Sequence, residues 1–275
     1  MFQNNQLNNK LSTALIGLAF ASSYSLNLAY ADDGADRKKG YEIAARSDRS
    51  DTGFGSSEVE AVMTLVNRAG KKMSRVLSFK TLERESEDVG DKALTVFSTP
   101  RDVKGTALLS HAQILTPDNQ WLYLPALKRV KRISSANKSG PFVGSEFAFE
   151  DFTSTELKKY DYKYTGEETI DGMKLDILER YPLYKNSGYT KQVSWVDQTV
   201  FQVRKIEFYD RKGALLKTLK LNDYKEYDGG VWRAHMLEMN NHLTGKSTTI
   251  SYSDYVFNTG LTDKDFVKGV LKKIR

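Results

Sequence analysis

The sequence predicts a mainly β protein built on one large, curled antiparallel sheet. From Glu58 onward, short runs of aromatic and β-branched residues are broken by turn residues every ten or so positions, which is typical of consecutive strands. Asp-Gly and Gly-Gly pairs between the runs supply the positive φ that tight hairpins need. A flat sheet of this width is unusual, so we expect it to curl around its apolar face.

Thirteen runs are predicted as strands. A short helix is predicted within residues 36–46, and a C-terminal helix at residues 261–274, where Thr262 or Asp263 can cap it and Phe266, Val270 and Leu271 share one face. The predicted strands are residues 59–67, 73–85, 92–99, 106–115, 120–125, 127–133, 159–170, 173–182, 189–197, 200–210, 214–227, 231–242 and 247–257.

Residues 1–31 resemble a secretory signal peptide. Their only charged side chain is Lys10, LSTALIGLAFA (11–21) forms an apolar core, and Ala29 and Ala31 are small residues placed for cleavage after Ala31. Residues 32–275 would then form one domain, exported across the inner membrane to the periplasm. An uncleaved membrane anchor is less favoured, because serines and an asparagine interrupt the apolar stretch.

The composition excludes several classes of protein. The chain has no cysteine, so it has no disulfide, no thiolate chemistry and no lipidation at cysteine. Removing the signal peptide leaves 40 basic and 35 acidic residues, with both signs mixed along the chain. This pattern indicates a solvated surface and no nucleic-acid partner.

The sequence contains no recognisable catalytic motif, so we predict no enzyme, no metal and no cofactor. His111, His235 and His242 lie in predicted strands without a triad or zinc-ligand spacing, which favours polar strand positions over a base or a ligand. GFGSS (53–57) lacks the third glycine, the strand and the helix of a nucleotide-binding loop, which favours an ordinary loop.

The segment PFVGSEFAFEDF (141–152) is unusually apolar for a connection between strands. Its glycines and proline predict a loop or short helix, and such segments normally run over the surface. Several strands also carry apolar residues on both faces, which suggests more apolar lining than the sheet can fill. The segment is therefore predicted to be a lid over a hydrophobic cavity, although it could also simply plug a core.

The segment carries three acidic residues and follows a basic run. Glu146, Glu150 and Asp151 could form an acid/base pair or a hard-metal site, but solubility and capping of a short helix are favoured. Arg129, Lys131 and Arg132 in the preceding basic run could meet an anionic headgroup or a membrane surface. Protection of an edge strand by charge is the alternative.

Several stretches together resemble a known family. QWLYLPALKRVKRI, GSEFAFEDF, VWRAHMLEMNNHLTGKSTTI, PRDVKGTALL and VSWVDQTVFQVRKIEFYDRKGALLK are similar to the outer-membrane lipoprotein-sorting proteins related to the periplasmic carrier LolA. The resemblance covers nearly all of the chain from about Tyr41. It implies an incomplete β-barrel of about eleven antiparallel strands, a covered mouth and a hydrophobic cavity for acyl chains in a Gram-negative periplasm.

The leading hypothesis is a periplasmic carrier of lipid or lipoprotein acyl chains between membranes. Its partners would be an inner-membrane exporter, an outer-membrane acceptor, or both. The alternative is a non-carrying adaptor of an RND-type exporter or envelope complex, with a filled core. The residues expected near the ligand or lid are Trp121, Tyr123, Phe142, Phe147, Phe149, Phe152, Trp195 and Trp232.

Overall fold

The computed structural model describes residues 23–83 and 90–274. The chain divides into two compact units, residues 1–35 and 36–275, and the sheet and every site discussed below belong to the second unit. The predicted signal peptide lies mostly outside the described residues, and its cleavage stays a prediction. A helix, α1 (Ser23–Ser50), contains and extends the helix predicted at residues 36–46.

Within the described residues, fourteen strands form one antiparallel sheet. They are β1 (Ser56–Val66), β2 (Lys72–Leu82), β3 (Lys92–Thr99), β4 (Ala107–His111), β5 (Asn119–Leu124), β6 (Arg129–Ile133), β7 (Tyr160–Ile170), β8 (Met173–Pro182), β9 (Tyr189–Asp197), β10 (Val203–Asp210), β11 (Leu215–Tyr227), β12 (Val231–Asn241), β13 (Ser247–Tyr252) and β14 (Val256–Phe257). The order is β6-β5-β4-β3-β2-β1-β13-β12-β11-β10-β9-β8-β7, and β14 pairs with β1.

The predicted fold class is confirmed: the protein is mainly β, with one large open antiparallel sheet whose terminal strands are β6 and β7. Each of the thirteen predicted runs contains a strand. The last run is divided into β13 and β14, because its register on β1 shifts by one residue between the pairs Ala61–Tyr252 and Glu58–Val256. The described strands therefore number fourteen, more than the eleven that the family resemblance implies.

The main core lies on one side of the sheet, which we call the inner face. Alternation along the strands places Met63, Leu77, Leu219, Met239 and Ile250 on this face, all buried in one cluster. The cluster extends from Leu108 of β4 across β3, β2, β1, β13, β12, β11 and β10 to Tyr189 of β9. The inner face is thus the large apolar surface that the curled-sheet prediction required.

The opposite, outer face has its own cover. Phe266 and Leu271 are fully buried against Leu94 and Leu109 of β3 and β4. They belong to the predicted C-terminal helix, which forms a short 3₁₀ helix (Asp263–Phe266) and one α-helical turn, α2 (Lys268–Leu271). The predicted cap is confirmed, since Thr262 is the N-cap and its backbone N donates to Asp265 Oδ2 at 2.8 Å.

The remaining short 3₁₀ helices lie in connections. Four of them lie between β6 and β7, and two of these four belong to the Phe-rich segment, residues 141–152. The five are Pro125–Leu127, Ser135–Asn137, Phe142–Gly144, Phe149–Phe152 and Leu157–Lys159. No helix in the described part of the chain combines the length and apolar character that crossing a membrane requires.

Candidate functional site

The second half of α1 lies across the inner face at the β7 end of the sheet. Ile43 is buried against Leu178 and Val196. Gly40 allows this approach, because a Cβ there would lie 2.8 Å from the backbone N of Tyr164. At the helix C-terminus, Gln202 Nε2 donates to Ser50 Oγ at 3.0 Å. The second half of the helix therefore contacts the sheet at Gly40 and Ile43 and the β9–β10 turn at Ser50.

A cavity of about 310 Å³ remains between α1 and the sheet. This volume is at the lower end of the roughly 300–1,000 Å³ range of small-molecule pockets. Strands β7 to β11 supply the floor, and residues 153–157 close one side. The apolar lining residues are Ala44, Phe54, Leu157, Leu178, Val196, Val203, Ile206 and Leu221.

Polar groups also line this cavity. Arg180 and Ser194 project from β8 and β9, and Tyr162 and Tyr224 contribute phenol groups. Burial raises the pKa of both phenols well above the ordinary value, so they stay protonated and neutral. Tyr224 donates its hydroxyl to the backbone O of Val203 at 2.6 Å. Four carboxylates lie at the rim toward α1 and β2: Asp48, Asp51, Glu83 and Asp91.

A second cavity of about 130 Å³ adjoins the first. The two share Ser154, Thr155, Arg180 and Ile206 as lining residues. The smaller cavity leads under the Phe-rich segment, where Phe147 lines it. The unfilled space on the inner face therefore begins under α1 and ends beside this segment.

The Phe-rich segment packs into the main core on the inner face. Phe142 has no exposed surface and Phe147 is 3% exposed. The rings of Phe142 and Phe152 lie 4.2 Å apart, and Phe79 of β2 stacks on Phe152. Phe149 is half-buried and meets Phe142 edge to face. The structure thus brings the four predicted phenylalanines together as a plug.

The three acidic residues of this segment hold it in place. Asp151 caps the 3₁₀ helix by accepting from Ala148 N at 2.7 Å, and it pairs with buried Lys217, also at 2.7 Å. Glu146 Oε2 accepts from Asn241 Nδ2 at 2.7 Å. The predicted capping role is therefore confirmed for Asp151.

Glu150 is held by the chain between β8 and β9. It accepts from the backbone N of Gly188 at 2.8 Å and from Ser187 Oγ at 3.1 Å. Burial, followed by the neighbouring charge of Asp151, raises the pKa of Glu150. The segment is thus hydrogen-bonded to Lys217 and Asn241 of β11 and β12 and to Ser187 and Gly188 before β9.

The other four predicted aromatic residues lie on the outer face. Trp121 and Tyr123 pack beneath the C-terminal segment, and Trp195 forms a small cluster with Leu175 and Val193. Trp195 also donates from Nε1 to Glu168 at 2.7 Å. Trp232 is half-buried on the face of β12 opposite Leu237 and Met239. Among the described lining residues of the two cavities, Phe147 is the one member of the predicted set.

The basic run forms β6, one edge of the sheet. Arg129, Lys131 and Arg132 are exposed, and Arg132 donates to Asn119 Oδ1 at 2.7 Å. This placement agrees with charge protection of an edge strand. It also leaves the three side chains accessible, so a headgroup or membrane contact stays a prediction.

The histidines have structural partners. His111 donates from Nε2 to the backbone O of Phe266, with 2.8 Å between the atoms. His235 Nε2 lies 2.9 Å from Tyr227 Oη, and His242 Nε2 lies 2.8 Å from Thr218 Oγ1. Within residues 23–83 and 90–274, no group of three or more histidine, aspartate or glutamate side chains could hold a metal ion.

Arg180 and Ser194 are cavity residues that the sequence analysis missed. Both lie in strands that were predicted correctly, in ERYP and QVSWV. Alternation gave no clear signal, because Arg180 shares its strand row with Lys174 and Asp176, and Ser194 shares its row with Thr190 and Gln192. The more apolar rows of these two strands, with Leu175, Val193 and Trp195, lie on the outer face.

This arrangement defines a class of protein: a LolA-like open sheet that carries a covered cavity on its inner face. A domain from Vibrio parahaemolyticus, named as an outer membrane lipoprotein-sorting protein domain, is 52% identical, with a TM-score of 0.83 over 86% of this chain and 99% of that one. A DUF1329 family protein from Desulfovibrio piger is 33% identical, with a TM-score of 0.81 over the same shares. A LolA superfamily protein from Nitrosomonas europaea is 22% identical, with a TM-score of 0.67 over 83% of this chain and 97% of that one, and shows the fold alone.

The chain belongs to the same family as the first two of these proteins, the outer-membrane lipoprotein-sorting and DUF1329 proteins. A family model described as "Uncharacterized protein" matches residues 90–273. The Uncharacterized protein PA3922 of Pseudomonas aeruginosa is 22% identical over 222 residues, which are 64% of this chain and 49% of that protein. The chain therefore spans about half the length of the curated relative it matches.

Proposed function

We propose that this protein is a periplasmic carrier. It holds an acyl chain of a lipid or lipoprotein while that lipid or lipoprotein crosses between membranes. The observation that carries the proposal is the unfilled space of about 310 Å³ on the inner face under α1. Each CH₂ group moved from water into such a space contributes roughly 0.8 kcal/mol. Even part of one acyl chain would therefore bind with useful affinity.

The direction of transport and the partners are part of the proposal. The predicted signal peptide supports a periplasmic location, where an acyl chain must be shielded from water between the two membranes. An inner-membrane exporter would load the cavity and an outer-membrane acceptor would empty it. The exposed Arg129, Lys131 and Arg132 on β6 would contact the anionic headgroups of the membrane surface during either step.

A non-carrying adaptor is the second candidate, and one observation favours it. The Phe-rich segment fills the middle of the inner face and is held there by the buried Lys217–Asp151 pair. If the cavity held only water in the cell, the domain would be a filled scaffold for an exporter or envelope complex. Native mass spectrometry of protein purified from the periplasm separates the two candidates, because a carrier retains lipid mass and an adaptor does not.

Filling the cavity from the helix side gives a direct test. Ala44 lines the cavity, whereas Ala45, about 100° further around the helix, is not among the residues that line it. An Ala44→Trp substitution would remove room for at least about two CH₂ groups, which corresponds to about a tenfold loss of affinity. Uptake of the neutral fluorophore N-phenylnaphthylamine measures the effect, and Ala45→Trp is the matched control.

We expect Ala45→Trp to bind the fluorophore like the wild type, with unchanged β-sheet circular dichroism in both variants. Equal uptake by both variants would show that the space under α1 does not hold the ligand. No uptake by the wild type, together with a lipid-free native mass, would favour the adaptor.

A further inference from the structure

Three buried polar atoms around the cavities lack a partner. In the described part of the chain, Arg180 Nε, Gln192 Oε1 and Ser194 Oγ have no hydrogen-bond partner. Gln192 and Ser194 are only 3% and 4% exposed. Folded proteins leave few buried polar atoms unpaired, so such a group requires an explanation.

The three residues are neighbours on the inner face. Arg180 of β8 is directly opposite Gln192 of β9, and Ser194 is two residues further along β9, opposite Leu178. Arg180 lines both cavities, Ser194 the larger and Gln192 the smaller. The cluster therefore lies where the two cavities meet, with the guanidinium 5.3 Å from the Tyr160 ring centroid.

The chemistry of the cluster is that of a receptor for an anionic oxygen. Arg180 offers an Nε–H donor with a positive charge, and Ser194 offers a hydroxyl donor. Hydrogen bonds in which one partner is charged are the strong ones, particularly out of contact with water. The apolar floor next to the cluster, Leu178, Val196, Ile206 and Leu221, suits an alkyl chain.

The carboxylates around the cavities are already engaged. At the rim, Asp51 pairs with Arg233, and Glu83 accepts from the backbone N atoms of Gly53 and Gly55. Asp48 and Asp91 also have interactions.

Three carboxylates line the smaller cavity: Asp118, Glu150 and Asp151. Asp118 pairs with Lys159, and Asp151 pairs with Lys217. Glu150 accepts from Ser187 and Gly188. The Nε–H of Arg180 is thus a charged donor at this junction that is still available to a ligand.

We propose that the cavity selects an amphiphile with an anionic oxygen, a carboxylate or a phosphate, that lies against Arg180 and Ser194 while its alkyl chain follows the apolar floor. The inference rests on the proposed carrier function and specifies its cargo. Gln192 accepts a hydrogen bond from a hydroxyl near the anionic group. The headgroup is therefore bound inside the protein, and the exposed basic residues of β6 are not its main site.

Displacement of N-phenylnaphthylamine by three ten-carbon probes tests the proposal. Decanoate, decyl phosphate and neutral decanol share one alkyl chain and differ in the headgroup. We expect the wild type to prefer at least one anion over decanol by about tenfold or more. Preference for decanoate would indicate a fatty-acid source of the anion, and preference for decyl phosphate a phospholipid source.

Arg180→Met should abolish this preference while decanol binding is retained. Arg68→Met, in the exposed connection between β1 and β2, is the matched control and should keep the wild-type preference. Because Arg180→Met could impair folding, Ser194→Ala provides a second variant with a small volume change, expected to reduce the preference by about threefold. Circular dichroism monitors the fold of all three.

Two results would overturn the inference while leaving the carrier intact: decanol binding as tightly as both anions to the wild type, or both cavity variants keeping the wild-type preference. If none of the three probes displaced the fluorophore, the carrier function would fail as well. The two failures are therefore distinguishable in one assay.

Discussion

Lys217 and Asp151 show how single residues determine the state of the Phe-rich segment. The two side chains are 3% and 8% exposed, and Lys217 Nζ also donates to the backbone O of Glu146 at 3.0 Å. Tyr189 donates its hydroxyl to the other Asp151 oxygen at 2.8 Å. Burying two charges costs free energy, because both lose their contact with water. The ion pair and its additional hydrogen bonds offset this cost only while both partners are present.

Removing one partner should therefore destabilise the protein strongly. Lys217→Met leaves the Asp151 carboxylate buried without its cation, and we expect a loss of about 3–5 kcal/mol in the free energy of unfolding. Urea denaturation measures this loss. The double variant Lys217→Met/Asp151→Asn should recover part of it, because no unpaired charge remains.

The exposed pair Lys225–Asp254 offers a control, since Lys225→Met should leave the denaturation midpoint nearly unchanged. A midpoint for Lys217→Met as high as that of this control would mean that the Phe-rich segment does not depend on the ion pair.

The functional side chains were harder to predict than the strands that carry them. Alternation separates the two faces of a strand but does not say which face is the inner one. Trp121 and Trp195 were therefore grouped with Phe142, although they lie on the outer face. Because several strands carry apolar residues on both faces, the sequence predicted more apolar surface on the inner face than the sheet could fill. Much of this apolar surface instead lies on the outer face, under Phe266 or beside Leu175.

At the scale of elements, turn chemistry and residue pattern located nearly every strand. The hairpin between β7 and β8 illustrates why, because its Asp171 and Gly172 both adopt positive φ, as the Asp-Gly pair predicted. The position of α1 over the inner face was less predictable from the sequence. Docking of α1 depends on Gly40, and a glycine inside a helix normally counts against that helix in sequence analysis. Only the approach to β7 explains the residue.

Two glycines of α1 allow a matched comparison. A Cβ on Gly40 would lie 2.8 Å from the backbone N of Tyr164, whereas a Cβ on Gly34 meets nothing within 4 Å. Alanine favours a helix by about 1 kcal/mol over glycine, so Gly34→Ala should stabilise α1. Gly40→Ala should instead displace the helix from the sheet, because the backbone of β7 cannot move aside at a low cost in free energy.

Amide hydrogen exchange over residues 36–50 measures both effects. We expect faster exchange in Gly40→Ala and unchanged or slower exchange in Gly34→Ala. Equal exchange in the two variants would mean that α1 does not depend on its contact with β7.

At the scale of the whole domain, the inner face has two covers with different properties. Residues 141–152 insert four phenylalanines into the main core and are fixed by buried charges. The second half of α1 covers the remaining space through a short apolar contact, Ile43 with Leu178 and Val196. Local opening requires less free energy where fewer apolar contacts are broken. The helix is thus the cover expected to move, and the Phe-rich segment the one expected to stay.

Hydrogen exchange with and without decanoate distinguishes the two covers. A ligand under α1 should slow exchange in residues 36–50 and 153–157 and in β8 to β10, because binding stabilises the closed state by mass action. Exchange in residues 141–152 and in the C-terminal segment 261–274 should stay the same, since neither encloses the larger cavity. The C-terminal segment serves as the internal control, because it packs on the outer face. Protection confined to residues 141–152 would reverse the assignment and make the Phe-rich segment the lid. The sequence alone favoured that arrangement, but the buried ion pair and the packed phenylalanine rings argue against it.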